Sequence, residues 1–217
     1  MGEVELSFNG NKIYIHSVLF FYGDAASENW SITIAKDIED YWNAAKGKVK
    51  VRDTIFDVVF KIEGIYARAL TAQMVFNNND PRNNYIRIEE FASDNISFVD
   101  DIGCNTGYFK LDNLLANSST AAHEYGHTIG LHHPKQLDIR GTGTPGIMYP
   151  RGSIVDPEFQ YSALAIPNGP GGTINPASRK VLQQDIDNLN LARLSYDPEG
   201  YATIGKFTNV WHSKHQP

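Results

Sequence analysis

The sequence of 217 residues contains a single cysteine, Cys104, so no intrachain disulfide can brace it. The fold must rest on its core and on any metal it binds. It also lacks a Lys/Arg-rich block, and its formal net charge is -6. That combination removes the electrostatic footprint of a nucleic-acid binder and disfavours an anionic membrane surface. No apolar stretch is long enough to span a bilayer, and the start MGEVELSFNG has neither the basic beginning nor the apolar run of a signal peptide. The sequence therefore reads as a soluble domain, although a start at Met1 is equally compatible with a leader or larger parent chain trimmed away. Repeats, low-complexity blocks and heptads are missing too, and with no spare apolar stripe a monomer is expected. What is present is a hydrophobic fraction of 41%, enough for one globular domain or two subdomains sharing a cleft.

Lys12 to Tyr22 (KIYIHSVLFFY) is β-branched and aromatic and reads as the first strand, entering a covered sheet. Between Ala25 and Lys46, Trp30, Ile34, Ile38, Tyr41, Trp42 and Ala45 recur at three- and four-residue steps, the stripe of a helix backing that sheet. Asp53 to Tyr66, Asn84 to Glu89 and Asn95 to Val99 read as further strands. A helix is expected from a polar cap within Asn117 to Thr120 to about Gly130, and a last helix over Ala177 to Leu194. The stretch between them, from Pro134 to Pro176, is rich in Gly and Pro.

The chemistry concentrates at His123 to His133, which reads HEYGHTIGLHH. Histidines four apart on a helix share one face, so His123 and His127 can reach a single zinc ion. A third ligand cannot come from the same ideal helix face. Gly130 solves this, because a residue without Cβ can turn left-handed, end the helix and swing His133 back to the metal. Three neutral imidazoles leave one position for water, and Glu124, next to the first ligand, would act as general base. The plain alternative is a set of ordinary helix histidines, but the five fixed positions of HExxHxxGxxH argue against coincidence.

At these residues the sequence resembles the metzincin clan of zinc peptidases, and AAHEYGHTIGLHHP is similar to matrixins and serralysins. The resemblance covers roughly Asn95 to Pro150. It implies a zincin-like α+β fold: a twisted mixed sheet with a backing helix and an active-site helix over residues 1–133, then a small irregular subdomain over 134–217 ending in a helix. It also implies a Met-containing turn beneath the zinc, for which Met148 in GIMYP is the candidate. Tyr149 follows Met148 directly, one residue short of the metal-binding tyrosine of serralysins and astacins, so it is expected to pack under the site. An edge strand of the family binds extended substrate; Asn95, Ile96, Ser97 and Phe98 are the nearest candidates, with Tyr149 as a further substrate contact and Asn105 to Lys110 a second possibility. The segment Arg151 to Asn175 would build the specificity wall, with Phe159, Tyr161 and Leu164 as lining or as loop anchors.

The activity implied is zinc-dependent endopeptidase cleavage of a protein or peptide, by a secreted or delivered protein. Two rival readings keep the site: a toxin warhead, or a zinc-stabilised module that holds peptides without cutting them. Weaker signals have plain explanations. His132 could compete with His133 for zinc, but the spacing favours His133. Cys104 reads as a small buried residue rather than a latency thiolate. Asp94, Asp100, Asp101 and Asp112 raise structural calcium, as in matrixins, but form no Asp-x-Asp-x-Asp-Gly loop and read as solvated carboxylates. His212 and His215 could bind metal adventitiously, but they sit in a tail expected to be loosely docked or frayed.

Overall fold

The structure is a computed structural model that describes residues 1–115, 118–162 and 173–216. It is α+β, with a curled mixed sheet of eight strands and four α-helices among the described residues. In chain order these are β1 (Gly2–Ser7), β2 (Lys12–Tyr22), α1 (Glu28–Ala44), β3 (Lys48–Val51), β4 (Thr54–Tyr66), α2 (Ala72–Phe76), β5 (Asn83–Glu89) and β6 (Phe98–Val99). There follow β7 (Thr106–Lys110), α3 (Thr120–Thr128), α4 (Gln183–Asn188) and β8 (Tyr201–Ile204). The sheet runs β3-β4-β2-β5-β7-β6, with β4, β2, β5 and β7 parallel and the outer strands β3 and β6 antiparallel to their neighbours.

The strand Lys12–Tyr22 is the second, not the first, and it is the axis of the sheet. It pairs with β4 along one edge, while β1 and then β5 share the other. Its burial alternates, with Ile13, Ile15, Ser17, Leu19 and Phe21 inside, as a half-covered strand requires. β1 and β8 were not legible: each is short, and β8 is held by antiparallel pairing with β1 from the far end of the chain.

α1 starts on Ser27, whose hydroxyl accepts the Trp30 N–H, and buries Ile34, Ile38 and Trp42 in the main core. Trp42 Nε1–H donates to the Ala122 carbonyl at 3.1 Å, which ties the backing helix to α3. Tyr125, on α3, is fully buried and its hydroxyl lies 2.9 Å from Ser17 Oγ on β2. α3 is therefore clamped between sheet and backing helix, a rigid mount for side chains on its other faces.

Two expectations change and a third narrows. The strand over Asn95 to Val99 shrinks to Phe98–Val99, because Asn95 takes φ 57 in a turn. The helix over Ala177 to Leu194 breaks into a 3-10 turn at Pro176–Ser178, α4, and a second 3-10 turn at Leu191–Arg193. Arg179 is extended and Asn190 is left-handed, which stops a continuous helix. Of the two expectations for the tail, loosely docked or frayed, it is docked: Trp211 stacks on Tyr22 at 4.7 Å and His215 on Tyr108 at 4.0 Å, so ring area holds it on the sheet. Asn117 as a cap and Leu164 as wall lie outside the described residues. Ser119 is the N-cap of α3, without a side-chain cap bond.

Candidate metal centre and its cleft

α3 carries His123 and His127 one turn apart and ends at Thr128. Gly130 then takes φ +96 in open space, a conformation L side chains rarely adopt, and the chain reverses. His133 returns with its Nε2 3.0 Å from His123 Nε2 and 3.1 Å from His127 Nε2. Among the described residues these three form the group of ligand-type side chains close enough to share one ion.

The tautomers follow from the main chain. His123 Nδ1 lies 2.7 Å from the Ile147 carbonyl oxygen and His127 Nδ1 lies 2.7 Å from that of Leu131. A carbonyl only accepts, so each Nδ1 carries the proton and each Nε2 keeps its lone pair for the shared centre. Arg179 Nη1 is also 3.0 Å from His123 Nδ1, where two donors meet; the acceptor for that guanidinium nitrogen is the Tyr149 carbonyl, at 3.0 Å. Nitrogens bound tetrahedrally at ~2.0–2.1 Å from zinc would stand ~3.3–3.4 Å apart. The two spacings to His133 are close to that, and all three ligand atoms lie within 4.8 Å of one another, so the donor set suits a small N-preferring divalent ion.

Electrostatics support neutral ligands. Desolvation, then the positive charge of Arg179, lowers the His123 pKa well below its ordinary value. Desolvation also lowers that of His127. His133 is exposed overall, yet desolvation beside the other imidazoles lowers its pKa to about 4.

Glu124 is 8% exposed, next to His123 in the same cleft. Burial raises its pKa to about 8, against the opposing pull of Arg179 and of the Val99 N–H, which donates to the carboxylate. A dication among the imidazoles would draw it down again.

Met148 is 2% exposed and packs on α3 at Gly126: a Cβ there would lie 2.3 Å from Met148 Sδ and 3.2 Å from Trp42 Cζ2. The preceding residue supplies the Ile147 carbonyl that orients His123. Beneath it, the buried Asp185 carboxylate accepts the N–H groups of Ile147 and Leu182, and burial raises its pKa to about 6.

The cleft has a volume of about 640 Å³. Asn95, Ile96, Ser97, Phe98 and Val99 line it, as do His132 and the residues Pro150, Arg151, Pro176 and Arg179. Thus the segment expected to meet substrate does border the site, mostly as a turn. Tyr149 instead packs with Phe159 against Ile139, Val155 and Ile174. Tyr161 is exposed beneath the Arg151 guanidinium. His132 points no nitrogen into the three-histidine group. Cys104 is buried.

The acidic residues raised for calcium turn elsewhere. Asp100 faces His212, Asp101 pairs with Lys206 and Asp112 with Lys110, and Asp94 is exposed. Sequence reasoning missed Arg179, Asp185 and the Val99 N–H. The first two sat inside a segment read as one amphipathic helix, and a main-chain donor leaves no sequence signal. No family model matches the chain, and no curated protein is significantly similar to it. Among the described residues no helix is long and apolar enough to cross a membrane.

Proposed function

We propose that this chain is a zinc-dependent endopeptidase of the metzincin type, with His123, His127 and His133 as ligands and Glu124 as general base. One observation carries the reading: two imidazoles have their Nδ1 protons fixed on main-chain carbonyls, all three Nε2 atoms converge, and a buried carboxylate stands in the same cleft. A bound zinc ion supplies Lewis acidity toward the scissile carbonyl and toward water at neutral pH. Glu124 takes a proton from the attacking water and delivers it to the leaving amine, so the carboxylate ends the cycle as it began. The Val99 backbone beside that carboxylate favours its charged form, and it belongs to the strand end at the cleft. β6 lies at the end of the sheet order, and an extended peptide laid beside it gains main-chain hydrogen bonds without side-chain selectivity. Met148 and Asp185 act indirectly, by holding the turn whose Ile147 carbonyl orients His123.

The test is metal analysis with a peptide-mixture digest. One zinc per chain is expected, with cleavage lost on chelation and restored by zinc. Cleavage that survives complete metal removal would overturn the proposal, and peptide binding without any cleavage would favour the non-catalytic module.

A further inference from the structure

The hydrolytic reading leaves a pair of cleft arginines without a task. Arg179 is 4% exposed, yet lines the cleft together with Arg151, Pro150 and Pro176. A guanidinium so far from water needs an anion or a full set of acceptors. Arg179 has the Tyr149 carbonyl for Nη1, but among the described residues its Nε has no hydrogen-bond partner. Among the described residues neither Arg179 nor Arg151 forms an ion pair.

Nothing nearby in the sequence is free to neutralise them. Residues 116–117 and 163–172 contain no Asp or Glu. Asp101, which also lines the cleft, is engaged by Lys206. Glu124 exerts a field on Arg179, but its carboxylate already accepts the Val99 N–H and faces the reaction. In a chain of net charge -6, this wall of the cleft carries two cations that form no ion pair among the described residues, Arg179 buried and Arg151 exposed over the Tyr161 ring.

We propose that Arg179, with Arg151 beside it, forms a subsite for a carboxylate of the peptide substrate close to the bond that is cut. The inference rests on the peptidase reading of the same cleft. A planar guanidinium offers paired donors that match a carboxylate, and a partly desolvated cleft strengthens the contact. The carboxylate can come from an Asp or Glu side chain flanking the cut or from the free C-terminus of the peptide.

The test uses zinc-loaded Glu124→Gln protein and fluorescent peptides in matched pairs, with Glu or Gln at each successive position and with a free or amidated C-terminus. Anisotropy should give at least about tenfold tighter binding for the acid member of one pair, since a hydrogen bond to a charged group carries more than a neutral one. A Glu/Gln pair identifies a side chain as the source; a free/amidated pair identifies the terminus. Arg151→Gln should lower that ratio several-fold. Arg179→Lys, which keeps the buried charge and loses the fork, should lower it further. Equal affinity within every pair, or no binding of any peptide, overturns the subsite. The wild-type protein with the same peptides separates the two proposals. Acid-selective binding without cleavage keeps the subsite and removes the peptidase reading, whereas cleavage of acid and amide members at equal rates does the reverse.

Discussion

Gly126→Ala tests how closely the turn at Met148 is fitted against α3. The added methyl would stand 2.3 Å from Met148 Sδ and 3.2 Å from Trp42 Cζ2, whereas carbon contacts are relaxed at ~3.5–4.0 Å. Either the sulfur or the helix must move by roughly 1 Å, and Met148 is 2% exposed, so little room exists for it. Overpacking of this kind costs about 1–3 kcal/mol, and replacing a mid-helix glycine by alanine returns ~0.5–1 kcal/mol. The net is a loss of up to about 2.5 kcal/mol, which for a domain of this size lowers Tm by up to about 10 °C. Circular-dichroism melts in the presence of chelator isolate the packing from the metal. Combining the change with Met148→Ala should relieve it, with a coupling of ~0.5–3 kcal/mol in favour of the double variant. A Gly126→Ala protein as stable as the parent, with additive effects in the double variant, would refute the packing described.

Two further changes probe the site separately. Gly130→Ala places a side chain at φ +96 with nothing within 4 Å of its Cβ, so its effect is purely backbone strain, about 1–2 kcal/mol, and His133 loses its alignment. Zinc competition against a chromophoric chelator should show weaker binding, and unchanged affinity would contradict the role given to the reversal. The pH dependence of the metal-free protein should carry the signature of Glu124. Its folded pKa is about 8 against an ordinary 4.5, so between those values the native state binds a proton that the unfolded state does not. Stability from this group therefore falls as pH rises from 4.5 to 8. Metal-free Glu124→Gln should be more stable than the parent at pH 8, with the advantage shrinking toward pH 4.5, because the histidines are common to both. A difference that does not vary with pH would contradict it.

The site was more legible than the frame around it. His123, His127 and Gly130 act through local geometry: helix pitch puts two imidazoles on one face, and a left-handed residue is a one-residue property. The backing helix was legible because Ile34, Ile38 and Trp42 repeat its period. By contrast, β8 exists through pairing with β1 from the far end of the chain, which no local pattern encodes, while β1 is a short strand paired back on β2. The segment after Pro176 carries helical periodicity, but Arg179 is extended, the Lys180 N–H is bonded to the distant Pro145 carbonyl, and the helix restarts only at α4, where the Asp185 carboxylate accepts the Leu182 N–H. The tail was expected to be loosely docked or frayed, and its docking rests on ring partners on the sheet for Trp211 and His215, which no local pattern shows.

The most direct test of the central claim compares zinc-loaded wild type with zinc-loaded Glu124→Gln for kcat/KM on any peptide the wild type cuts, with metal content measured on the same samples. A neutral amide at position 124 keeps the shape but cannot take a proton, so kcat/KM should fall by about 10²–10⁴-fold with one zinc retained per chain. Equal cleavage by the two proteins at equal zinc content would contradict the account.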